Sequence, residues 1–165
     1  MKSCIILTIL CSFVLSAQTP RSTAFADTTE RTRTVAEQYL RHYFTMDFDA
    51  MGALMHEAIT FEDPTARMIF GSQKHEGKDS VLAAMQKVVG SITGMSPDHI
   101  RQFASGNTLV SELTLRWSFR SRSGKPVTIT TPLVIVLMVQ DGKVIWHRDY
   151  GDYTTFRRQY EEQVK

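Results

Sequence analysis

The chain has 165 residues, a length that suits one domain with a buried core rather than two. It contains 19 Lys and Arg and 17 Asp and Glu, and two of the basic residues, Lys2 and Arg21, lie in the first 26 residues, which contain no acid. Without that segment the opposite charges are equal in number. The composition therefore gives no support to nucleic-acid binding, which depends on clustered excess cations.

The N-terminal segment has the pattern of an export signal. Lys2 precedes the apolar run CIILTILCSFVL (4–15), which is shorter than the roughly 20 residues that span a bilayer as a helix. AFA (24–26) offers a small-x-small cleavage site, with LSA (15–17) as an earlier alternative. We predict a signal peptide at 1–26, a domain at 27–165, a secreted or periplasmic location, and no stable membrane insertion after cleavage. An uncleaved membrane anchor is the alternative.

Cysteine and histidine usage argues against a metal centre. Cys4 and Cys11 both lie in the predicted signal, so the remaining chain has no thiol for catalysis, disulfides or metal binding. The five histidines are scattered without the spacing of a zinc site. There is also no Gly-x-Ser-x-Gly elbow and no Gly-rich phosphate loop. We predict no metal and no cofactor.

The first half of the domain is predicted to be mostly helical. A polar lead-in (27–34) precedes an amphipathic helix from Val35 to about Met46, and a short helix capped by Asp49 follows within 47–56. A brief strand at 58–64 ends at Pro64, and 65–77 is predicted as a loop that covers a cavity. The apolar pattern of 78–94 predicts another helix, which Gly94 can end.

In the second half of the domain, apolar and polar residues alternate as they do in β-strands. Strands are predicted at 99–106, 107–122, 126–140 and 144–150, with an Asp-Gly hairpin at DGK (141–143) and a short helix after residue 152. Residues 133–139 are apolar at every position, which predicts a strand covered on both faces. The order predicts an α+β fold in which about three N-terminal helices pack on the concave face of a curled antiparallel sheet. Such a fold leaves a pocket for a small ligand between sheet and helices.

Two motifs carry a family resemblance. FEDP (61–64) and DGKVIWHRDYGDYTTF (141–156), together with the order of elements, resemble the nuclear transport factor 2-like superfamily. Within it the chain is similar to the branch of SnoaL-like polyketide cyclases and limonene epoxide hydrolases, over nearly all of residues 33–160. The resemblance implies a cone-shaped fold and a homodimer through the outer face of the sheet, for which the exposed side of LRWSF (115–119) is a candidate surface.

The resemblance extends only partly to the catalytic residues. The epoxide hydrolases of this branch hold an Arg between two aspartates, and Asp149 matches the one on the last strand. The preceding long strand should carry Arg-x-Asp, but this chain has Arg116-Trp117-Ser118 there and no Asp from 107 to 122. We therefore do not expect epoxide hydrolysis. Asp63 matches a position where the branch often places a polar residue that binds water or substrate.

The last strand supplies the candidate catalytic pair. Alternation places His147 and Asp149 on one face, with Val144, Trp146 and Arg148 on the other. If the first face lines a cavity, the pair can exchange a proton with a bound substrate near neutral pH. We predict Asp149 as the acid/base and His147 as its partner or orienter. The alternatives are an Asp149 paired with Arg116 or Arg148, and a His147 that donates to a backbone carbonyl.

Four further side chains are predicted to bind substrate: Asp63, Phe61, Tyr43 and Trp117. Each has a simpler alternative, since Asp before Pro commonly closes a turn and the aromatic residues are also suited to the core or a dimer interface. Alternation on strand 107–122 assigns Trp117 to the apolar face, which is the default lining of the pocket, and directs Arg116 outward.

These residues lead to one functional hypothesis and one rival. We expect an exported domain that holds a small, largely apolar organic molecule and acts as a cofactor-free acid–base enzyme of the isomerase, cyclase, dehydratase or hydrolase type. The alternative is a non-catalytic ligand-binding or dimerisation module of the same fold, which the missing Arg-x-Asp favours.

Overall fold

The computed structural model describes residues 21–165, apart from the side chains at 21, 22 and 89, so most of the predicted signal peptide (1–26) lies outside the described residues. Five helices and six strands form within that range. In chain order they are α1 (Arg21–Thr45), α2 (Phe48–Ala53), β1 (Met55–Glu62), α3 (Arg67–Phe70), β2 (Lys74–Glu76), α4 (Lys78–Val89), β3 (Ile92–Ser105), β4 (Thr108–Arg120), β5 (Pro126–Gln140), β6 (Lys143–Gly151) and α5 (Tyr153–Val164).

The strands form one curled, unclosed sheet in the order β2-β1-β6-β5-β4-β3. Every pairing is antiparallel except β1 with β6, which run parallel. Helix α1 crosses the inner face of β3 to β6, and α4 contacts β1 and α2. One apolar core lies between these helices and the sheet. The predicted α+β fold is confirmed.

The β5–β6 hairpin determines which way β6 faces. Gln140 pairs with Lys143, and both turn residues have positive φ, 51° at Asp141 and 73° at Gly142, as a two-residue Asp-Gly hairpin requires. Directly after the turn, the β5–β6 register shifts by one residue, which is a β-bulge. Because the bulge interrupts alternation, Val144 is buried in the core on the same side as His147. The predicted placement of Val144 on the opposite face was wrong.

Helix α1 is longer than its apolar pattern predicted. The polar residues 27–34 are helical rather than a lead-in, and the buried Thr32 lies among them. Thr29 Oγ1 accepts a hydrogen bond from the backbone N–H of Gly106 at 2.9 Å, so this part of α1 is held by the β3–β4 turn. No helix among the described residues is long and apolar enough to cross a membrane.

Three other boundaries differ from prediction. Asp47, rather than Asp49, caps α2 by accepting from the N–H of Ala50 at 3.1 Å. Helix α4 ends at Val89, and β3 begins at Ile92 because that residue pairs with Phe119 of β4. The predicted loop 65–77 contains the short helix α3 and the edge strand β2.

Strand β5 is covered on one face, which corrects the prediction of two covered faces. Its alternate residues from Val127 to Val139 are buried, whereas Val134, Val136 and Met138 on the outer face are half-buried. Those three side chains lie beside the side chains of β4 and β6 with which they pair, and no helix of the described chain covers them.

Helix α5 protects the free edge of β5. β6 pairs with β5 only from Leu133 onward, which leaves residues 126–131 without a neighbouring strand on that side. Gln159 bonds both the N–H and the C=O of Thr130, at 2.9 and 2.8 Å, and Gln163 does the same to Thr128, at 3.0 and 2.8 Å. Glutamines four apart on a helix match residues two apart on a strand, because both spacings are about 6 to 7 Å.

Candidate active site

The candidate acid–base pair lies on the inner face of β6. His147 is 0% exposed and Asp149 is 4% exposed, and His147 Nε2 lies 2.8 Å from Asp149 Oδ1. Because a strand directs residues two apart to the same face, the sequence His-Arg-Asp brings the imidazole and the carboxylate into direct contact. Arg148, between them, faces outward and pairs with Glu62 at 3.0 Å.

Two tyrosines of α1 complete a buried hydrogen-bond network. Tyr39 and Tyr43 are one helical turn apart and present their hydroxyls to the same point of β6. The Tyr39 hydroxyl lies 3.0 Å from His147 Nδ1, and the Tyr43 hydroxyl donates to Asp149 Oδ2 at 3.3 Å. The network therefore joins an α1 residue to each member of the pair.

The network fixes the tautomer of the histidine when Asp149 is ionised. A carboxylate only accepts hydrogen bonds, so Nε2 of His147 must carry the proton that faces Asp149 Oδ1. In a neutral imidazole Nδ1 then carries no proton and accepts from the hydroxyl of Tyr39. Both ring nitrogens are satisfied in a neutral imidazole.

The tyrosines stay protonated over a wide pH range. Burial raises the pKa of Tyr39 well above its usual value, and the charge of Asp149 raises it further. The pKa of Tyr43 is raised by burial first and then by Asp149. Two neutral hydroxyl groups are therefore held against the pair as hydrogen-bond donors.

The predicted alternative pairing of Asp149 with an arginine is not found. Arg148 binds Glu62, and Arg116 is exposed on the outer side of β4. In residues 21–165 the ion-pair partner of Asp149 is His147 alone. The carboxylate is thus buried beside an imidazole and two phenols, with no guanidinium in contact.

Asp63 lies at the end of β1 and binds the turn that follows. Its Oδ1 accepts from the N–H groups of Thr65 and Ala66, each at 2.9 Å, as expected for an Asp that closes a turn. Its Oδ2 accepts from the hydroxyl of Tyr153, the first residue of α5. Burial raises the pKa of Tyr153 most, and the charge of Asp63, its hydrogen bond to the phenol and the charge of Asp149 raise it further.

The structure brings together most, but not all, of the predicted site. The ring of Phe61 meets His147 edge-on with centroids 4.9 Å apart, and Tyr43 contacts the same imidazole at 5.1 Å. Asp63 is linked to β6 through Thr65, whose hydroxyl donates to Asp63 Oδ1 at 2.6 Å and accepts from the N–H of Gly151 at 2.8 Å. Trp117 lies elsewhere on the inner face, where its ring meets Phe156 of α5.

Aromatic side chains pack directly against the pair. The rings of Tyr39, Tyr43 and Phe61 surround the imidazole of His147. A surface cavity of about 230 Å³ lies next to Asp63, but neither member of the pair lines it. In residues 21–165, no group of three or more His, Cys, Asp or Glu side chains is arranged to hold a metal ion.

Sequence reasoning missed two members of the site. Tyr39 lies within the amphipathic pattern that predicts a helix from Val35, and its spacing of four residues from Tyr43 places both hydroxyls on the same side. Tyr153 follows the Asp152 cap of α5, and its contact with Asp63 joins positions 90 residues apart. Only the first of these has a local signal in the sequence.

Comparisons with known proteins agree with this architecture. A family model described as a SnoaL-like domain matches residues 36–147, more than half of the chain, and ends two residues before Asp149. No curated protein is significantly similar to the chain in sequence.

Solved structures share the fold at low identity. A proposed SnoaL-like polyketide cyclase from Shewanella denitrificans has a TM-score of 0.72 at 20% identity, covering 80% of this chain and 98% of that one. An LEH-like epoxide hydrolase from M. tuberculosis has a TM-score of 0.66 at 20% identity, covering 82% and 93%. A proposed ketosteroid isomerase from Kribbella flavida has a TM-score of 0.56 at 21% identity, covering 74% and 78%. The predicted family is confirmed: the chain belongs to the SnoaL-like family, within the nuclear transport factor 2-like fold.

Proposed function

We propose that this protein holds a small, largely apolar organic molecule inside its cone and performs cofactor-free acid–base chemistry on it. The reaction would be of the isomerase, cyclase, dehydratase or hydrolase type, with Asp149 as the acid/base and His147 as its partner. The observation that carries the proposal is the buried network of Tyr39, His147, Asp149 and Tyr43. Relatives of the same fold include proteins named as a cyclase, an epoxide hydrolase and an isomerase, which is consistent with such chemistry.

The two oxygens of Asp149 have different roles in this proposal. Oδ1 is held at 2.8 Å by His147, whereas Oδ2 has only the long 3.3 Å bond from Tyr43. Oδ2 is therefore the oxygen that can take a proton from a carbon next to a carbonyl and return it to another atom of the substrate. The neutral hydroxyl of Tyr43 can donate to the oxyanion that forms meanwhile.

Access to the pair requires a local movement. Tyr153 and Phe70 pack together with centroids 5.9 Å apart, and Tyr153 bonds Asp63 at the end of β1. Phe70 is 54% exposed on the four-residue helix α3, so it can move without unpacking the core. We propose that Phe70 and Tyr153 form the entrance to the pair and that Asp63 holds Tyr153 there.

Deuterium exchange into a simple ketone tests the proposal. The probe is 2-tetralone in D₂O, followed by the loss of its proton signals next to the carbonyl. Asp149→Asn keeps the shape of the side chain and an acceptor for His147, so the fold should persist. We expect the protein-catalysed exchange to fall by roughly 10²- to 10⁴-fold, the usual contribution of a general base. The control is Asp98→Asn, at an exposed carboxylate of β3. Equal exchange by wild type and Asp149→Asn would count against the assigned role.

A non-catalytic binding module is the second candidate. It is favoured by one observation, that the pair is inaccessible and its atoms are already hydrogen-bonded within the fold. In that case the network is structural. Wild type would then exchange the ketone protons no faster than Asp149→Asn.

We further propose that the protein is exported and that residues 1–26 are its signal. Support comes from the apolar run at 4–15 and the small residues at 24–26. Cleavage after Ala26 removes the first six residues of α1 but leaves Thr29, which binds the β3–β4 turn. The intact mass of the exported protein should correspond to a chain that begins at Asp27. A chain that begins at Gln18, or an uncut chain, would contradict this.

We also propose that the protein forms a homodimer through the outer face of the sheet. The half-buried Val134, Val136 and Met138 lie on that face, and the exposed Phe103 pairs with Val110 beside them. The face is continuous across the middle of the sheet, because paired residues of neighbouring strands point to the same side.

A further inference from the structure

Two large apolar side chains of helix α3 (Arg67–Phe70) are open to solvent. Met68 is 70% exposed, and Phe70 is 54% exposed although its ring also packs on Phe156 of α5. Of the helices in residues 21–165, only α3 has two exposed side chains of this size, and it is four residues long. Apolar side chains concentrated on a single exposed turn indicate a contact with something outside the chain.

The single turn α3 projects from the rest of the molecule. Among the helices and strands of residues 21–165, it contacts chiefly α5. Gly71, the next residue, has a φ of 75°, and apart from its chain neighbours no heavy atom lies within 4 Å of the position that a Cβ would take there. The chain therefore turns back in open space, and Met68 meets solvent rather than a neighbouring element.

The charged side chains near α3 leave an excess of positive charge. Arg67 is exposed and forms no ion pair within residues 21–165, and the same holds for Arg157 of α5. The acids at the end of β1 are already paired. Glu62 binds Arg148 at 3.0 Å, and Asp63 is buried with both oxygens hydrogen-bonded. The surface around α3 is therefore suited to an anionic partner.

A small polar cavity adjoins the same turn. Its volume is about 230 Å³, and its lining includes Arg67, Ser72 and Lys74. The acids that line it are the two whose oxygens are paired within the fold, and Lys74 also binds the exposed Glu76 at 2.6 Å. Two cations and a hydroxyl group are donors that bind phosphate oxygens.

We propose that α3 is a membrane-docking tip, which binds reversibly to a bilayer that contains anionic lipids. Met68 and Phe70 enter the headgroup region, while Arg67 and Lys74 contact lipid phosphates, and no segment crosses the bilayer. A second copy of the chain fits less well, because a stable protein interface covers about 800 Å² on each partner. A bilayer needs no matching shape, and it combines apolar insertion with attraction of cations.

Docking through α3 would set the entrance of the Asp149 site against the bilayer. Phe70 and Tyr153 form that proposed entrance, so an apolar substrate dissolved among lipid chains would reach it without crossing water. This consequence rests on the proposed acid–base function. The docking itself goes beyond that function, since it depends on the side chains of α3 and its flanking loop and not on Asp149.

Sedimentation with vesicles tests the docking. The probes are vesicles of phosphatidylcholine alone and of phosphatidylcholine with about 30% phosphatidylglycerol, which supplies the negative charge. Wild type should bind the anionic vesicles about 5- to 30-fold more tightly than the neutral ones, as expected for one or two cations near the surface. Salt at about 1 M, which shortens the screening length to about 3 Å, should remove most of that preference.

Three variants separate the apolar and the charged contributions. Met68→Gln keeps the length of the side chain but not its apolar character, so binding to both kinds of vesicle should weaken by about 5- to 30-fold. Arg67→Gln should weaken binding to anionic vesicles alone, by about fivefold. Ile100→Gln, at a side chain 48% exposed on β3, is the matched control and should bind as wild type does. All variants share one N-terminus, so the apolar run at 4–15, where it is retained, adds equally to each.

Fluorescence quenching by brominated phosphatidylcholine shows whether α3 enters the bilayer. Phe70→Trp adds an indole at the tip, and its emission should be quenched in anionic vesicles. Phe103→Trp adds an indole at a similarly exposed position on β3 and should be quenched no more than wild type.

The inference is overturned if wild type binds neither kind of vesicle, if Met68→Gln binds as tightly as wild type, if Arg67→Gln keeps the full preference for anionic vesicles, or if the two tryptophan variants are quenched alike. Failure of the acid–base function is seen separately, in the exchange rates of Asp149→Asn with 2-tetralone.

Discussion

His147 has both ring nitrogens hydrogen-bonded although none of its surface reaches solvent. Buried polar groups are tolerated when they are paired, and here the partners come from α1 and from β6 itself. Local sequence could predict that His147 and Asp149 share a face. It could not predict the contact with Tyr39, since that hydrogen bond joins positions 108 residues apart and depends on how α1 crosses the sheet.

The buried tyrosines should make the protein sensitive to alkali. Burial and Asp149 raise the pKa of Tyr39 and Tyr43 above 10 in the folded state, so above pH 10 the unfolded chain loses protons that the folded chain keeps. Stability is fully present below pH 10 and falls as pH rises toward the folded pKa values, by about 1.4 kcal/mol per pH unit for each tyrosine. Tyr39→Phe should reduce the slope above pH 10 by about 1.4 kcal/mol per pH unit, while the buried Tyr43 and Tyr153 keep their contributions, measured by urea unfolding between pH 9 and 11.

The control for this measurement is Tyr150→Phe, which removes a phenol from the outer face of the sheet, away from the network. An unchanged slope in Tyr39→Phe would show that the Tyr39 hydroxyl titrates alike in the folded and unfolded chains, contrary to its burial.

At the scale of single elements, two glutamines hold helix α5 against β5. Gln159 and Gln163 make four hydrogen bonds to the free edge of β5, between 2.8 and 3.0 Å. Replacing both with Ala should speed amide exchange throughout α5 by about tenfold or more, since each lost bond contributes roughly 0.5 to 1.5 kcal/mol. Ala is the better helix former, so any loosening comes from the lost contacts.

The control for this double variant is Gln86→Ala, which makes the same change at an exposed position of α4. The double variant also leaves residues 126–131 as an open strand edge, so it should aggregate more readily than the control. Protection of α5 equal to that of wild type would mean that packing of Phe156 and Tyr160, rather than the glutamines, holds the helix.

The type of an element could be predicted where a local sequence rule determines it. Its boundaries could not be predicted where pairing with another strand determines them. The Asp-Gly turn at 141–142 was predicted because its positive φ angles suit those residues. The bulge that follows has no such signature, so the face of Val144 was predicted wrongly. Ile92 continues the apolar pattern of α4, yet residues 92–94 belong to β3 because β4 offers Ile92 and Gly94 backbone partners.

At the scale of the whole molecule, the two faces of the sheet differ in what covers them. The inner face is closed by α1 and α4 and by aromatic side chains of α3 and α5, whereas the outer face has no helix among residues 21–165. Half-buried Val134 and Val136 lie at its centre, and Tyr150 pairs with Val134 beside them. An apolar patch at the centre of an uncovered face is suited to a second copy of the chain.

Phe103 is the residue through which this dimer can be tested. It is 61% exposed on β3 and lies in one row with Val110, Val136 and Arg148 across the outer face. We expect light scattering during size-exclusion chromatography to give twice the mass of the chain for wild type. Phe103→Arg should shift the protein to monomer, because two guanidinium groups would be buried at a symmetric interface. Met68→Arg, at a side chain 70% exposed on α3, makes the same chemical change away from the sheet and should remain dimeric. A monomeric wild type at tens of micromolar, or a Phe103→Arg variant that still dimerises, would place the contact elsewhere or remove it.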